Sequence, residues 1–310
     1  ARIINQPESL IPILGSDPVQ EQIDSYIYES LNDLDKETYD QIPGLAELPE
    51  ISNDGLTYTF KIKKDRTFSD GEPITGEDVI FTFKTIKNPL IYTMGLRDYI
   101  EPVKFVELVN KDKYEIKITL NKPNWRAMHL ISNLRILPQH IFDPNDYTGR
   151  IDWNVLKDSS SAVNDKYSRK LAEFINSEEV YLKNEFVIGS GPYMLEKWDK
   201  GDKITLKRNE KYNGSRSSYP DKIIFKYIQD NSFALVQAMN KEIDVMYVIP
   251  PSDFYVNFSE PEKFNFVKNE PAEPSYTYLG WNELNPIFAD KKVRKALAYL
   301  VDRNSLIKNI

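Results

Sequence analysis

Apolar positions along this chain fall into two rhythms, one of period two and one of period three to four, and they mark out most of its elements. Arg2 to Asn5 reads as a short strand, and Gln6 to Ser16 as an irregular loop. Between Val19 and Leu34, the residues Ile23, Ile27, Leu31 and Leu34 form one apolar stripe at helical spacing. Asp17-Pro18 supplies an N-cap and a proline at the first helical position. Pro43 to Asn53 reads as a linker. Leu56, Tyr58, Phe60 and Ile62 then alternate with Thr57, Thr59, Lys61 and Lys63, which predicts a half-buried strand opened by the Asp54-Gly55 turn. Thr75-x-x-Asp78 resembles a capping box, with Val79, Phe83 and Ile86 as the buried stripe of the helix that follows. Tyr114, Ile116, Ile118 and Leu120 make a second alternating strand, ended by Asn121-Lys122-Pro123. In the charged stretch 159–182, Tyr167, Leu171, Phe174 and Ile175 recur at helical spacing.

Further along, strands are predicted over Tyr193–Lys197, Lys203–Arg208 and Lys222–Ile228, the first two joined by a Gly201-Asp202 hairpin turn. A helix is predicted from Asn231 to Asn240, with Phe233, Val236 and Met239 inward, and a strand from Ile243 to Val248. Asp290 caps a last helix to Arg303, in which Val293, Ala296, Leu297, Leu300 and Val301 share a face. Gly189 and Gly191 are expected to take backbone angles closed to other residues, and Pro192 biases Gly191 towards extended ones. Short strands interleaved with amphipathic helices predict an α/β or mixed α+β fold, without the regular alternation of a doubly wound nucleotide fold.

Composition narrows the function. With 310 residues, 41% of them hydrophobic and 28% charged, the chain is long enough for two domains. No apolar run approaches the ~20 residues of a membrane span. A net charge of −7 argues against non-specific nucleic-acid binding, which needs Lys and Arg at phosphates. The absence of cysteine removes thiol catalysis, disulfides and cysteine-ligated zinc. Gly189-Ser190-Gly191 lacks the spacing of a nucleophile elbow, and only His129 and His140 are available as a base. Those histidines stand eleven apart, outside chelating spacing, so no metal and no cofactor is expected. With 47 acidic residues, carboxylate pairs are unavoidable, and Asp70, Glu77, Asp78, Glu242 and Asp244 read as caps, turns and surface charges.

An ordered set of motifs carries more weight than any one residue. It comprises Ser9-Leu10-x-Pro12, Tyr28-Glu29-x-Leu31, Pro43-Gly44-Leu45-Ala46, Asp54 to Phe60, Phe68-Ser69-Asp70-Gly71 and Gly76-Glu77-Asp78-Val79. It continues through Gly189 to Tyr193, Trp198, Gly201-Asp202, Arg208-Asn209, Tyr212-Asn213-Gly214, Glu242 to Val245 and Val293 to Leu297. In this order they resemble the family 5 extracellular solute-binding proteins, the peptide- and nickel-binding receptors of bacterial ABC importers. Two departures are Lys241, where the family has glycine before Glu-Ile-Asp, and Ser69, where many relatives carry histidine.

The resemblance implies a type II periplasmic-binding-protein lobe with an inserted α+β domain, most of the second lobe lying beyond Ile310. Residues 1–44 and 186–275 would form the discontinuous first lobe, 45–185 the insert, and 276–310 the start of the second lobe. It implies capture of short peptides, delivery to ABC permease subunits and no catalysis. It also implies a monomer placed outside the cytoplasm, periplasmic or on the cell surface, meeting the membrane only through a lipid anchor or the permease. Nickel chelates, haem, oligosaccharides and opines are other cargo types in the family. A carbohydrate-active hydrolase and a structural interaction module are the readings from other classes. Ligand-lining positions implied are the loop Ser16, Asp17, Pro18 and Val19, and the strand carrying Tyr278, Leu279, Gly280, Trp281 and Asn282. Tyr278 and Trp281 would offer apolar walls with polar tips, and Gly280 a close backbone approach.

Overall fold

The computed structural model describes residues 1–15, 17–93, 95–216, 218–247, 249–270 and 278–309. Its strands are β1 (Arg2–Ile3), β2 (Asn32–Leu34), β3 (Gln41–Pro43), β4 (Glu50–Ile51), β5 (Thr57–Lys61), β6 (Val103–Val109), β7 (Asp112–Leu120), β8 (Tyr193–Asp199), β9 (Lys203–Arg208) and β10 (Lys222–Tyr227). Its helices are α1 (Pro18–Ile27), α2 (Gly76–Lys87), α3 (Leu96–Tyr99), α4 (Ala127–Ser132), α5 (Gln139–Phe142), α6 (Ser159–Asn164), α7 (Lys166–Ile175), α8 (Glu178–Leu182), α9 (Asn231–Met239), α10 (Pro286–Ala289), α11 (Lys291–Tyr299) and α12 (Arg303–Asn309). Two units result, Ala1–Phe264 and Asn265–Ile310.

The first unit holds two four-stranded sheets. One runs β1-β10-β9-β8, parallel between β1 and β10 and antiparallel elsewhere; the other runs β4-β5-β7-β6, antiparallel throughout. The predicted alternation is what buries them. Tyr58, Phe60 and Ile62 turn one way from β5, and Ile116, Ile118 and Leu120 match them from β7, all 6% exposed or less. Each such side chain removed from water contributes about 1.5–3 kcal/mol before the entropic cost of folding is set against it. Helix α2 packs on β6 and β7 through Val79, Phe83 and Ile86, none of them exposed. Its start is closed as read from Thr75-x-x-Asp78: Asp78 Oδ2 accepts from Thr75 N at 2.8 Å and Thr75 Oγ1 at 3.0 Å. Asp78 Oδ1 meanwhile accepts from Gln139 N at 2.9 Å, so the same carboxylate pins α5 to α2.

Several expectations are corrected. Helix α1 stops at Ile27, with Tyr28 already extended (φ −117°, ψ 153°), and does not reach Leu34. The backbone beyond is claimed by tertiary pairing. Leu45 N donates to Ser30 O (3.0 Å), Ala46 N to Leu31 O (2.9 Å), and Ser30 bridges to Arg135. Leu31 still reaches the core, from extended chain rather than from a helix. The supposed linker 43–53 includes β4 and the last residue of β3. On α9 the inward residues are Ala234, Leu235 and Ala238, while Phe233 and Val236 are 55% and 52% exposed. Ile243 to Tyr247 form no strand, although Val245 O accepts from Arg2 N at 3.0 Å; Val248 lies outside the described residues. The 159–182 stretch breaks into α6, α7 and α8, each begun by its own cap: Asp158, Asp165 and Ser177.

Gly189 and Gly191 have a different purpose from the one expected. Neither adopts a positive φ, whereas Gly201 in the β8–β9 turn does, at +88°. What they lack is room: a Cβ on Gly189 would overlap Ile27 O, and one on Gly191 would overlap Tyr26 O and stand 2.7 Å from Ile27 C. The close approach lets Gly191 N donate to Ile27 O at 2.7 Å, capping the C-terminal end of α1 from the bend that leads into β8. Alanine at either position is expected to cost about 1–3 kcal/mol, because backbone must move to admit it. Urea denaturation of Gly191→Ala measures this; an unchanged midpoint would show the contact to be loose.

In the second unit Asp290 caps α11 through Lys292 N (2.7 Å), and Val293 and Leu297 are half-buried while Ala296, Leu300 and Val301 are exposed. The predicted single helix to Arg303 ends at Tyr299, and α12 begins at Arg303.

Candidate functional site

The approach to α1 is strapped into the core. Leu10, Ile11, Ile13 and Leu14 are each 1% exposed, Ile11 N donates to Ser9 Oγ (3.1 Å), and Leu14 N to Ile11 O (2.9 Å). Asp17 then caps the helix, accepting from Val19 N at 2.7 Å and Gln20 N at 3.3 Å, and its second oxygen takes the Asn5 amide. These bonds occupy the Asp17 carboxylate, and of the next two residues Pro18 is exposed and Val19 buried. Ser16 lies outside the described residues.

Beside this loop lies a cavity of about 380 Å³, walled by Pro12, Ile13 and Gly15, by Glu21 and Asp24 of α1, and by residues of α2, α3 and the segment 129–135. Its polar residues include Tyr99, His129, Asn133 and Arg135. Asp24 is 3% exposed; burial pushes its carboxyl up to about 8, against the pull of the Gln20 hydrogen bond (3.2 Å) and of Arg135. Burial, reinforced by nearby Arg126, holds the His129 imidazole below its ordinary value. Arg126 itself stacks over Tyr99 and Trp125, each at 5.7 Å, and Trp125 is 91% exposed. Apolar walls with a few buried polar groups suit a small-molecule or peptide side chain. The pattern of the sequence pointed to the loop but missed Asp24, whose place on the helical wheel looks like solvent.

In the second unit, Tyr278, Leu279, Gly280 and Asn282 are exposed and Trp281 is half-buried against Phe288, with ring centroids 5.3 Å apart. Residues 278–282 form no strand, and Tyr276 and Thr277 of the expected strand lie outside the described residues. Asn282 begins a turn: its side chain accepts from Leu284 N (3.1 Å) and its carbonyl from Asn285 N (3.0 Å). Of the other chemistry considered, Ser190 is 2% exposed, and His140 Nε2 lies 2.7 Å from Asp70 Oδ2 near the start of α5.

The fold is that of a type II periplasmic binding protein. The sequence pattern described as "Bacterial extracellular solute-binding proteins, family 5 Middle" matches residues 40–310, and the chain belongs to that family. It is 29% identical to the oligopeptide-binding protein AppA of Bacillus subtilis over 310 residues, 99% of this chain and 50% of that one. To the dipeptide-binding protein of Escherichia coli K12 it is 25% identical, covering 92% of this chain and 50% of the other. Among solved structures, AppA in complex with a nonapeptide superposes with a TM-score of 0.76 at 28% identity, over 99% of this chain and 54% of that one. NikZ of Campylobacter jejuni, in complex with Ni(L-His), gives 0.75 at 26% identity with the same coverage. The chain thus spans about half the length of the relatives it matches. Among the described residues, no helix is long and apolar enough to cross a membrane.

Proposed function

We propose that this chain is the ligand-capturing part of an ABC importer's substrate-binding protein, that its cargo is short peptides, and that it carries out no catalysis. The observation that supports this best is the cavity beside the Asp17 loop, in a chain whose relatives by name bind oligopeptides and dipeptides. Peptide recognition without sequence demands rests on main-chain pairing and roomy, wet side-chain pockets. Residues 16–19 and 278–282 would line the ligand, and bound peptide would shift the population towards a closed form. The first sheet draws its strands from residues 2–3 and 193–227 and the second from 50–120, which supports a discontinuous first lobe with an insert over about 45–185. The receptor would act as a monomer outside the cytoplasm, docking on permease subunits and meeting the membrane only through a lipid anchor or the permease.

Natively purified protein should release a mixture of short peptides, identified by mass spectrometry, and peptide pools should saturate a tryptophan fluorescence change. A uniform sugar or a metal complex in place of peptides would refute the peptide assignment. Hydrolysis of chromogenic glycosides, abolished by changing one carboxylate, would favour the carbohydrate-active hydrolase.

A further inference from the structure

The cavity beside α1 has a charge preference that its apolar walls conceal. Its buried polar atoms left without partners are acceptors. Asp24 Oδ1, on a side chain 3% exposed, has no hydrogen-bond partner, and neither does Asn133 Oδ1, from the 129–135 segment of the same lining. Gln20 Oε1 is equally orphaned, on a residue 1% exposed, and sits in the space that a Cβ on Gly15 would fill. Glu21 adds a second carboxylate to the wall, three residues before Asp24 on the same helix.

Arg135 Nη1, Asn133 Nδ2 and Gln20 Nε2 are already engaged, whereas the buried Tyr28 hydroxyl, near enough to Asp24 to feel its charge, has no partner. Arg135 Nη1 reaches Ser30 Oγ at 3.4 Å and Asp33 Oδ1 at 3.9 Å. His129 Nδ1 and Asn133 Nδ2 lie 2.8 Å apart. Gln20 Nε2 is divided between Ile11 O (3.0 Å) and Asp24 Oδ2 (3.2 Å). A buried acceptor without a donor costs free energy that an arriving N–H group recovers. Asp24 keeps its proton in the empty cavity below about pH 8, and an arriving cation would favour its loss, so that binding releases a proton and a charged donor becomes the stronger match.

We propose that this cavity takes the cationic side chain of a lysine or arginine in the bound peptide, with Asp24 Oδ1 as its principal acceptor and Asn133 Oδ1 and Glu21 as supporting ones. The inference rests on the peptide-receptor reading and adds a side-chain specificity to it. A neutral side chain of the same length would fill the volume and leave the oxygens unpaired.

The test compares tripeptide pools carrying lysine at one position with the same pools carrying norleucine, by calorimetric titration of the natural-length protein. A charge-assisted hydrogen bond predicts that lysine peptides bind about tenfold tighter or more. Asp24→Asn should bring the lysine-to-norleucine ratio close to one, and Glu21→Gln should lower it in part. Because the ratio is internal to each variant, a folding loss that scales both affinities leaves it untouched. Equal binding of the two pools by the wild type, or a ratio indifferent to Asp24→Asn, overturns the proposal while leaving the receptor intact. Competition by 1-butylammonium without any lysine preference would assign the site to free amines and overturn the side-chain assignment. Saturation by no peptide at all would sink the receptor reading and this inference with it.

Discussion

Replacing Asp24 by asparagine is expected to stabilise the protein, and to do so more strongly the higher the pH. Asp24 is buried on α1, one oxygen bonded to Gln20 and the other unpaired, and burial raises its carboxyl to about 8. In the unfolded chain the same group titrates near 4. Between those values the folded state retains a proton that the unfolded state has lost, so stability falls as pH rises from about 4 to about 8. Below that window both states are protonated and the penalty disappears; above it the full penalty remains. The ceiling is on the order of 5 kcal/mol, reduced by whatever relaxation lets Arg135 or water approach the carboxylate. Asparagine keeps the shape of the neutral carboxyl and cannot ionise. Urea melts of both proteins at intervals from pH 4 to 9 should therefore diverge in favour of the variant up to about pH 8 and hold a constant gap above it. A constant difference across that range would mean that Asp24 is not buried as described.

A second large effect is expected at the ion pair that joins the segment before β2 to the segment after β5. Arg66 Nη2 stands 2.6 Å from Glu29 Oε1, with side chains 5% and 3% exposed. Tyr212 OH donates to the same oxygen at 3.2 Å, and Arg66 also reaches Asn213 Oδ1 at 3.1 Å while lying over the Tyr212 ring. Burial pulls the Glu29 carboxyl above its ordinary range, opposed by Arg66 first and Arg216 second. Arg66→Ala leaves that carboxylate with Arg216 at 3.9 Å as its nearest cation, and is expected to cost about 3–5 kcal/mol. The double variant Glu29→Gln with Arg66→Met removes both charges and should recover most of the loss, since desolvation of an ion pair offsets much of its attraction. Chemical denaturation of Glu29→Gln, of Arg66→Met and of the double variant measures the coupling. Additive losses would show that the pair is not coupled.

Much of the fold was legible because its signals are local. The alternation at Tyr58 to Ile62 and at Tyr114 to Leu120 needs only the two-residue period of a strand, and the two runs proved to be neighbours in one sheet. Thr75 and Asp78 closed the turn that their spacing announced. The Asp17 cap was equally plain, since a short carboxylate before Pro18 has few other uses. The end of α1 was not legible. Ile27, Leu31 and Leu34 keep helical spacing, and only the competing partners Leu45 and Ala46 draw the backbone out of the helix. On α9, Phe233 and Val236 are the more hydrophobic choices, yet Ala234 and Ala238 are the residues buried. Of the candidate site, the loop at Asp17 could be read, while Asp24 could not, because nothing in one helix says which polar residue will be walled in.

The sequence by itself determined β5 and β7 to β10, the caps of α1, α2 and α11 and the Gly201 turn, and, through the order of its motifs, the family; these depend on neighbours a few residues apart or on a pattern held along the chain. Tertiary structure alone decided where α1 stops, which face of α9 is buried, and why Gly189 and Gly191 are glycines, since each is settled by backbone brought close from far along the chain. It alone decided that Asp24 faces a cavity with an unpaired oxygen. Burial and partnership are properties of the assembled packing, and no local pattern encodes them.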